Sequence, residues 1–268
     1  MISMVLGRGR AVGEPKRLPR WLGGLLGACL VIAFWEGMAT LTFGGRHVIP
    51  TPQSVLVTIF HDPGYSVWAN LGVTAPEAGL GWLAGNLAAL ALAGLFILLP
   101  AVEGPLMKLA LASYCLPITA IGAILYVVLP TGADPRIAVS ALSVIFTTLV
   151  GAMMGLRSAD PASLDLVRAY GGGKWAQLVK VRFKSALPAT FAGLAIAGPA
   201  SVLGAIIGEY LGGATGLGAT MVLAQQDMDV QRVWAIATVS TALAGAAFLL
   251  TTLVGRLLAP WAIRAQRA

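Results

Sequence analysis

The chain has 268 residues, of which 57% are hydrophobic and 11% charged, and its mean hydropathy is +0.83. A soluble domain carries about 25% charged residues, so this chain has too few charges to cover a water-facing surface. The composition excludes an ordinary soluble globular fold and predicts an all-α, polytopic bundle of transmembrane helices.

The chain begins with a basic tail, predicted as a separate cytoplasmic segment over residues 1–20. Its basic residues are Arg8, Arg10, Lys16, Arg17 and Arg20. The tail is similar to the charged region of a signal peptide, but the apolar run after it continues to Phe43, which is too long for a signal core. We therefore predict that this run stays as a first membrane helix and that residues 21–268 form a single transmembrane domain.

Six apolar runs are long enough to cross the hydrocarbon of a bilayer, which takes about 20 helical residues. They are predicted at 21–43, 78–100, 106–129, 137–156, 187–211 and 233–258. The segment 44–69 between the first two carries Pro50, Pro52 and Pro63, and it predicts a short interfacial helix around Ser54–Phe60 between two turns.

The positions of lysine and arginine predict the orientation, because cytoplasmic loops are enriched in these residues. With a cytoplasmic N-terminus, 15 of the 18 basic residues lie inside and only Arg46, Arg136 and Arg232 lie outside. We therefore expect a multi-pass membrane protein with both chain ends in the cytoplasm. Because the basic residues cluster in loops and tails beside the spans, nucleic-acid binding is not expected.

The loop between the fourth and fifth spans, residues 157–186, contains the clearest local signals. Asp160-Pro161 predicts a helix start, with an N-cap followed by proline at the first helical position. The helix should continue to Tyr170 and end at Gly171-Gly172-Gly173, since glycine accepts the left-handed backbone found at helix ends. A second helix is expected from Lys174-Trp175.

A helix of this length can lie in a groove of a soluble partner protein. The spacing predicts that Leu164, Val167 and Tyr170 would be buried there. The pattern alone leaves a second interpretation equally open, in which the segment is an ordinary connecting loop with a basic interfacial helix.

The loop resembles the signature of bacterial ABC importer permeases, in which an acidic-Ala-Ala triplet precedes a glycine and a Leu-Pro pair. Asp165-Leu166-Val167 stands at the triplet position, and Gly171 stands at the glycine position. Lys174-Trp175 matches the usual basic-Trp pair, and Leu187-Pro188 matches the final pair. The chain departs from the pattern in its degenerate triplet and in Lys184, which replaces a proline.

Other segments resemble one subfamily, the nitrate/sulfonate/taurine-type permeases. They are Phe34-Trp35-Glu36, the segment 49–55, the segment 157–161 and the segment 209–218 with its Gly-Leu-Gly. The resemblance implies a type I importer permease that pairs with a second, identical copy, two ATP-binding subunits and an external solute-binding protein. It places a coupling helix at Asp165, Ala169 and Gly171, followed by Lys174 and Trp175.

No catalytic residue, cofactor or metal site is predicted. The chain lacks the glycine-rich loop ending in Lys-Ser/Thr that cradles phosphates, so ATP hydrolysis is expected in a separate subunit. A secondary transporter is the alternative, but it would need coupling-ion sites between repeated halves, and no such repeat is visible. A membrane enzyme would need a reactive cluster inside the spans, and both histidines fall outside them.

Three carboxylates lie in or beside predicted spans, where a charge is costly: Glu36, Glu77 and Glu209. Each is either a functional group or a solvated side chain at the membrane surface, and for Glu77 the solvated reading is favoured. Gly204 and Gly208 belong to a stripe of small residues that predicts close helix packing or, alternatively, a pathway wall. The candidate translocation pathway is therefore Glu36, Gly204, Gly208 and Glu209.

The substrate is expected to be a small solute of the nitrate, sulfonate or taurine kind, or a heterocycle such as a pyrimidine precursor or riboflavin. Glu77 stands where the subfamily usually has arginine. Ile118 and Ala123 stand where prolines are common in the subfamily. These departures make a neutral or cationic heterocycle as plausible as an oxyanion.

Overall fold

The computed structural model describes residues 20–41, 49–61, 67–129, 132 and 134–260. Over these ranges the chain is built of α-helices with no β-strand, as the composition predicts. The basic tail before residue 20 and the basic residues Arg264 and Arg267 lie outside the described residues. The chain divides into two compact units, Met1–Gln53 and Ser54–Ala268, which are taken in turn.

The first unit contains helix α1, Arg20–Leu41, which confirms the first predicted span. Its 22 residues extend about 33 Å at ~1.5 Å per residue, enough to cross the hydrocarbon. Most of its described side chains are exposed, as expected for a helix that faces lipid. Within α1, the Trp35 indole N–H donates to the carbonyl of Pro50, which lies after the helix, at 3.0 Å.

The second unit is organised around α3 (Val67–Leu98), α6 (Asp134–Arg157), α9 (Phe183–Gly212) and α11 (Val230–Leu258), preceded by the short α2 (Pro52–His61). The most extensive contact joins α6 to α9, and the next joins α3 to α6. Helix α6 therefore lies between the other two. Within the described residues, five helical segments are each long and apolar enough to cross a membrane. They are α1, α3, α6, α11 and the segment Lys174–Gly212, which contains α9.

Glycines allow these helices to pack closely, because a Cβ at several of them would overlap the neighbouring backbone. A Cβ on Gly85 of α3 would collide with the Ala141 carbonyl of α6. On the other side of α6, a Cβ on Gly155 would lie 2.6 Å from the Ala186 carbonyl of α9. A second contact on each helix gives the directions. Gly81, earlier on α3, lies against Ile137 of α6, so α3 runs parallel to α6. Gly151 lies against Ala189, so α9 runs antiparallel to α6.

The third predicted span, 106–129, is not one straight helix. It consists of α4 (Pro100–Cys115) and α5 (Ile118–Val128), bent by 98° at Leu116-Pro117. Proline has no N–H and disfavours helical geometry in the residue before it, and Leu116 accordingly is extended, with ψ 137°. Counted together as one broken span, the two helices bring the number of spans to six.

The fifth span also differs from its prediction. The short helix α8 (Lys174–Gln177) continues through a π-helical turn, Leu178–Arg182, directly into α9. Pro188 therefore lies inside a continuous helix instead of opening the span. An additional helix, α10 (Leu217–Gln226), separates α9 from α11; its ten residues are too few to span a bilayer, which is why hydropathy did not predict it.

Candidate functional site

The loop after α6 contains the predicted short helix, α7, Pro161–Ala169. The Asp160 carboxylate caps its start by accepting from the Ser163 backbone at 3.0 Å, the Ser163 hydroxyl at 2.9 Å and the Ala162 backbone at 3.4 Å. These hydrogen bonds, that of the Ser163 hydroxyl foremost, hold the pKa of Asp160 below its ordinary value. The N-cap predicted from Asp160-Pro161 is confirmed.

The glycines after α7 end it through a Schellman motif. Gly171 has a left-handed φ of +80°, and its N–H donates to the Arg168 carbonyl at 2.8 Å. The Gly172 N–H donates to the Val167 carbonyl, also at 2.8 Å. A Cβ on Gly172 would lie 2.8 Å from that same carbonyl, so the sharp turn requires glycine there. The predicted helix stop is confirmed.

The solvent-facing side of α7 differs from the predicted docking face. Leu164 is only 8% exposed, so the chain itself buries it and it cannot enter a partner's groove. Tyr170 of the predicted face is 85% exposed, and Leu166, which was not predicted, is 59% exposed, with Asp165 and Ala169 exposed beside them. The helical period explains the exposure of Leu166, since two positions turn it by about 200° from Leu164 and away from the bundle. We call Asp165, Leu166, Ala169 and Tyr170 the α7 face.

The rest of the loop is tied to the bundle by basic side chains. Arg182 donates to the Leu156 carbonyl at 2.8 Å, and Lys174 donates to the Leu98 carbonyl at 3.4 Å. Both acceptors lie at helix C-termini, where carbonyls lack helical partners and cations are stabilised. Trp175 remains 66% exposed. The loop therefore presents a fixed helix, with one apolar face directed outward.

At the opposite end of the second unit lies a buried group of charges, Glu77 on α3, Arg136 on α6 and Glu209 on α9. Their residues are 6%, 8% and 0% exposed. An Arg136 Nη1 to Glu77 Oε1 distance of 2.9 Å defines an ion pair. The solvated interpretation of Glu77 and Glu209 is therefore wrong, because packing of the three helices excludes water from both.

This charge cluster holds the start of α10. The first amides of a helix have no partner within it, and here Glu209 Oε2 accepts from Gly218 N at 2.7 Å and Thr74 Oγ1 from Leu217 N at 2.9 Å. Asn70 Oδ1 accepts from Gly216 N, also at 2.9 Å. Side chains of α3 and α9 thus complete the hydrogen bonding at the N-terminus of α10. A carboxylate there is also favoured by the helix dipole.

Midway between the two ends lies a cavity of about 660 Å³. Its walls come from α3, α4, α5, α6 and α9 and are mostly aliphatic. Tyr114 and Phe146 in its wall stack with ring centroids 4.6 Å apart and planes inclined by 24°. The polar lining groups are the hydroxyls of Ser113, Tyr114, Ser143 and Thr147.

Comparison with known proteins assigns these features to a family. Residues 85–266 match the binding-protein-dependent transport system inner membrane component family. The chain belongs to this family. A probable ABC transporter permease protein of Haemophilus influenzae is 32% identical over 216 residues, covering 81% of this chain and 88% of the relative.

Two further relatives of this ABC permease have named substrates. The riboflavin transport system permease protein RibX of Chloroflexus aurantiacus is 23% identical, covering 87% of each chain. The putative aliphatic sulfonates transport permease protein SsuC of Bacillus subtilis is 24% identical, covering 80% of this chain and 78% of the relative. The resemblance to ABC importer permeases of the nitrate/sulfonate/taurine type is confirmed. Such permeases are transport subunits and not enzymes.

In this permease, the two glycines predicted for the pathway lie between α6 and α9. A Cβ on Gly208 would be 2.9 Å from the Arg136 Cα, and one on Gly204 would be 2.8 Å from the Ser140 Cα. These contacts support the interpretation that the two glycines serve close helix packing. The residues of α9 that line the cavity are others, namely Ala200, Leu203 and Ile207. A pathway role for either glycine stays a prediction.

Glu36 of the permease lies in α1, where it is half-buried beside the exposed Phe34. Its predicted pathway role also stays a prediction.

Three residues of the buried site, Arg136, Asn70 and Thr74, were not predicted as site residues. Only Arg136 left a signal in the sequence, as an arginine beside Pro135 at the start of an apolar span.

Proposed function

We propose that this ABC permease passes an uncharged, planar heterocycle across the membrane for an ATP-driven importer. The observation that supports this substrate class is the cavity at mid-depth. No Asp, Glu, Lys, Arg or His is among the described residues that line it. An oxyanion such as a sulfonate would have to shed its hydration there without a cationic side chain to replace it, which is costly.

The size and walls of the cavity suit an aromatic ring system. A volume of about 660 Å³ lies within the range of roughly 300–1,000 Å³ that is typical of small-molecule sites. The Tyr114–Phe146 pair offers aromatic surface for stacking, which contributes about 0.5–1.5 kcal/mol beyond area burial. The hydroxyls of Ser113 and Ser143 donate to carbonyls of their own helices, so their oxygens can still accept a hydrogen bond from a ring N–H.

The position of the cavity suits a solute in transit. Ser143 and Phe146 are central in α6, and Ile196 and Ala200 are central in α9. A site at this depth lies between the α7 face and the Glu77–Arg136–Glu209 cluster. Transporters that alternate access place their solute sites near the bilayer midplane. Of the relatives described above, RibX is named for riboflavin, a heterocycle, and SsuC for aliphatic sulfonates. The cavity chemistry favours the first class.

The α7 face is proposed to dock on the ATP-binding subunit. Its apolar residues Leu166 and Tyr170 are exposed on a helix with both ends capped, which is the form used for helix-in-groove recognition. The complete importer would contain two such ATPase subunits, a second copy of this permease and an external solute-binding protein. The Lys/Arg bias supports cytoplasmic positions for both chain ends, and the family, described as an inner membrane component, supports a location in the bacterial inner membrane.

Uptake by the reconstituted importer tests the substrate class. The permease, its ATPase subunit and its binding protein would be placed in liposomes, and uptake of labelled riboflavin and ethanesulfonate would be followed with and without internal ATP. We expect ATP-dependent uptake of the heterocycle alone. Uptake of ethanesulfonate alone would contradict the proposed substrate class, and uptake that needs an ion gradient instead of ATP would favour a secondary transporter.

Matched variants connect uptake to the cavity. Tyr114→Leu and Phe146→Leu keep an apolar wall but remove the stacked pair, and we expect each to lower heterocycle uptake by about tenfold, or ~1.4 kcal/mol. Phe248→Leu on α11 makes the same change outside the cavity lining and should leave uptake unchanged. Equal effects at all three positions would argue against a solute site in the cavity.

A further inference from the structure

The Glu77–Arg136–Glu209 cluster contains more buried negative groups than positive ones. Among the described residues, the titratable groups that face it are Glu77 from α3, Tyr126 from α5, Arg136 from α6 and Glu209 from α9. Helix α10 contributes none, since its sequence has no ionisable side chain. With both carboxyl groups ionised, one guanidinium would leave an uncompensated buried charge, which proteins avoid.

Each carboxyl group has one oxygen with a donor and one without. Glu77 Oε1 pairs with Arg136 at 2.9 Å, and Glu209 Oε2 accepts from Gly218 N at 2.7 Å. The other two oxygens, Glu77 Oε2 and Glu209 Oε1, are buried and have no hydrogen-bond partner among the described residues. Thr74, one helical turn before Glu77 on α3, and Glu209 accept from the consecutive amides of Leu217 and Gly218, so the two carboxyl groups meet at the first turn of α10. Two buried carboxyl groups in one site, each with an oxygen that lacks a donor, favour a proton held between them.

Neighbouring hydroxyl groups do not remove the excess negative charge. The Thr74 hydroxyl lies beside Glu209 and also within 3.2 Å of the Asn70 carbonyl. The Tyr126 hydroxyl donates to the Gly208 carbonyl at 2.7 Å. A hydroxyl donates a hydrogen bond but does not neutralise a carboxylate, so two ionised carboxyl groups would still leave one uncompensated charge.

We propose that Glu77 and Glu209 share one bound proton, which leaves a single negative charge opposite Arg136. The cluster is then neutral overall, and each carboxyl oxygen has a partner. Close carboxyl pairs retain one proton in this way because two adjacent buried charges of like sign cannot both form cheaply. The proton belongs to the pair and not to either residue alone. This protonation site is independent of the proposed substrate class.

The bound proton has a structural consequence for α10. Glu209 holds the first turn of α10 through Gly218, and a Cβ on Gly216 would collide with the same carboxyl group. Loss of the proton would place two negative charges beside one another and push Glu209 away from Glu77. The folded state therefore keeps a proton that the unfolded state releases above the ordinary pKa of a carboxyl group, so stability should fall as the pH rises above that value, for as long as the folded state keeps the proton.

Infrared spectroscopy of the full chain in nanodiscs tests the site. At neutral pH we expect the carbonyl stretch of one protonated carboxylic acid, absent in Glu77→Gln and in Glu209→Gln. Glu36→Gln removes a carboxyl group of α1 and is the control, which should retain the band. If wild-type protein shows no such band, or if Glu36→Gln removes it, the proposal is overturned.

Thermal unfolding supplies an independent test. Either single glutamine variant keeps a hydrogen-bond donor between the pair and one carboxylate opposite Arg136, so its Tm at neutral pH should stay near that of wild type. Each should also lose the decline in Tm that the shared proton produces as the pH rises above the ordinary pKa of a carboxyl group. The double variant leaves Arg136 without a carboxylate and should unfold at a clearly lower temperature. Wild-type stability that depends on sodium concentration instead of pH would contradict the proposal and indicate a bound cation.

Discussion

Two carboxylate–arginine pairs of nearly equal geometry stand at opposite ends of this permease. Glu77 and Arg136 are 2.9 Å apart, and Asp165 and Arg168 are 2.8 Å apart. The side chains of the first pair are 8% and 10% exposed, whereas those of the second are 68% and 62% exposed. The difference shows that distance alone does not give the structural weight of an ion pair, because water screens the exposed one and not the buried one.

Removing the arginine from each pair should reveal the largest difference between the two pairs, measured as the loss in the free energy of unfolding. Arg136→Leu leaves buried carboxylates without their cation, and we expect it to lower the free energy of unfolding by about 3–5 kcal/mol. Arg168→Leu should cost less than about 1 kcal/mol, because the Asp165 carboxylate stays in water. Denaturation in mixed micelles, followed by tryptophan fluorescence, measures both. Equal losses for the two variants would refute the contrast.

The two ends were also unequally predictable from the sequence. The loop end follows from local rules, since Asp160-Pro161 and the three glycines specify the bounds of α7 within the chain itself. The buried site around the charge cluster joins residues that are distant in the sequence, such as Asn70 and Gly216, and no local pattern pairs them. Hydropathy gave the spans, but it could not give the bend at Pro117 or the short α10. The side of α7 that faces the bundle likewise depends on tertiary packing around Leu164.

Glycine contacts along α6 extend the comparison to the helices between the two ends. Gly204→Ala puts a methyl group against the Ser140 Cα and the Ser143 side chain of α6, so we expect a loss of about 1–3 kcal/mol from overpacking. Gly94→Ala on α3 has open space within 4 Å and should be neutral or slightly stabilising. The same denaturation assay applies, and a tolerated Gly204→Ala would show that α6 and α9 separate easily.

Truncating neighbouring leucines on α7 should separate folding from docking. Leu166→Ala removes an exposed apolar contact, and we expect ATP-dependent uptake to fall by about tenfold, which corresponds to ~1.4 kcal/mol, with little change in Tm. Leu164→Ala removes a buried side chain and should lower Tm, with uptake per folded molecule unchanged. Reversed effects would place the docking face on the side of α7 that carries Leu164.

Acidification should produce the smallest effect, limited to the first turn of α7. Hydrogen bonds depress the pKa of Asp160 in the folded state below its ordinary value of 3.8, so the cap stabilises α7 above that value and is lost as the pH falls through the lowered pKa. Protection of the Ala162 and Ser163 amides against hydrogen exchange, corrected for intrinsic rates, should decline in that range. Asp160→Asn keeps a capping oxygen that does not titrate, so its protection should not change with pH, whereas Asp160→Ala should lack it throughout. If wild type and Asp160→Asn respond to acid identically, the cap is not the titrating element, and the cause lies in the buried end of the bundle.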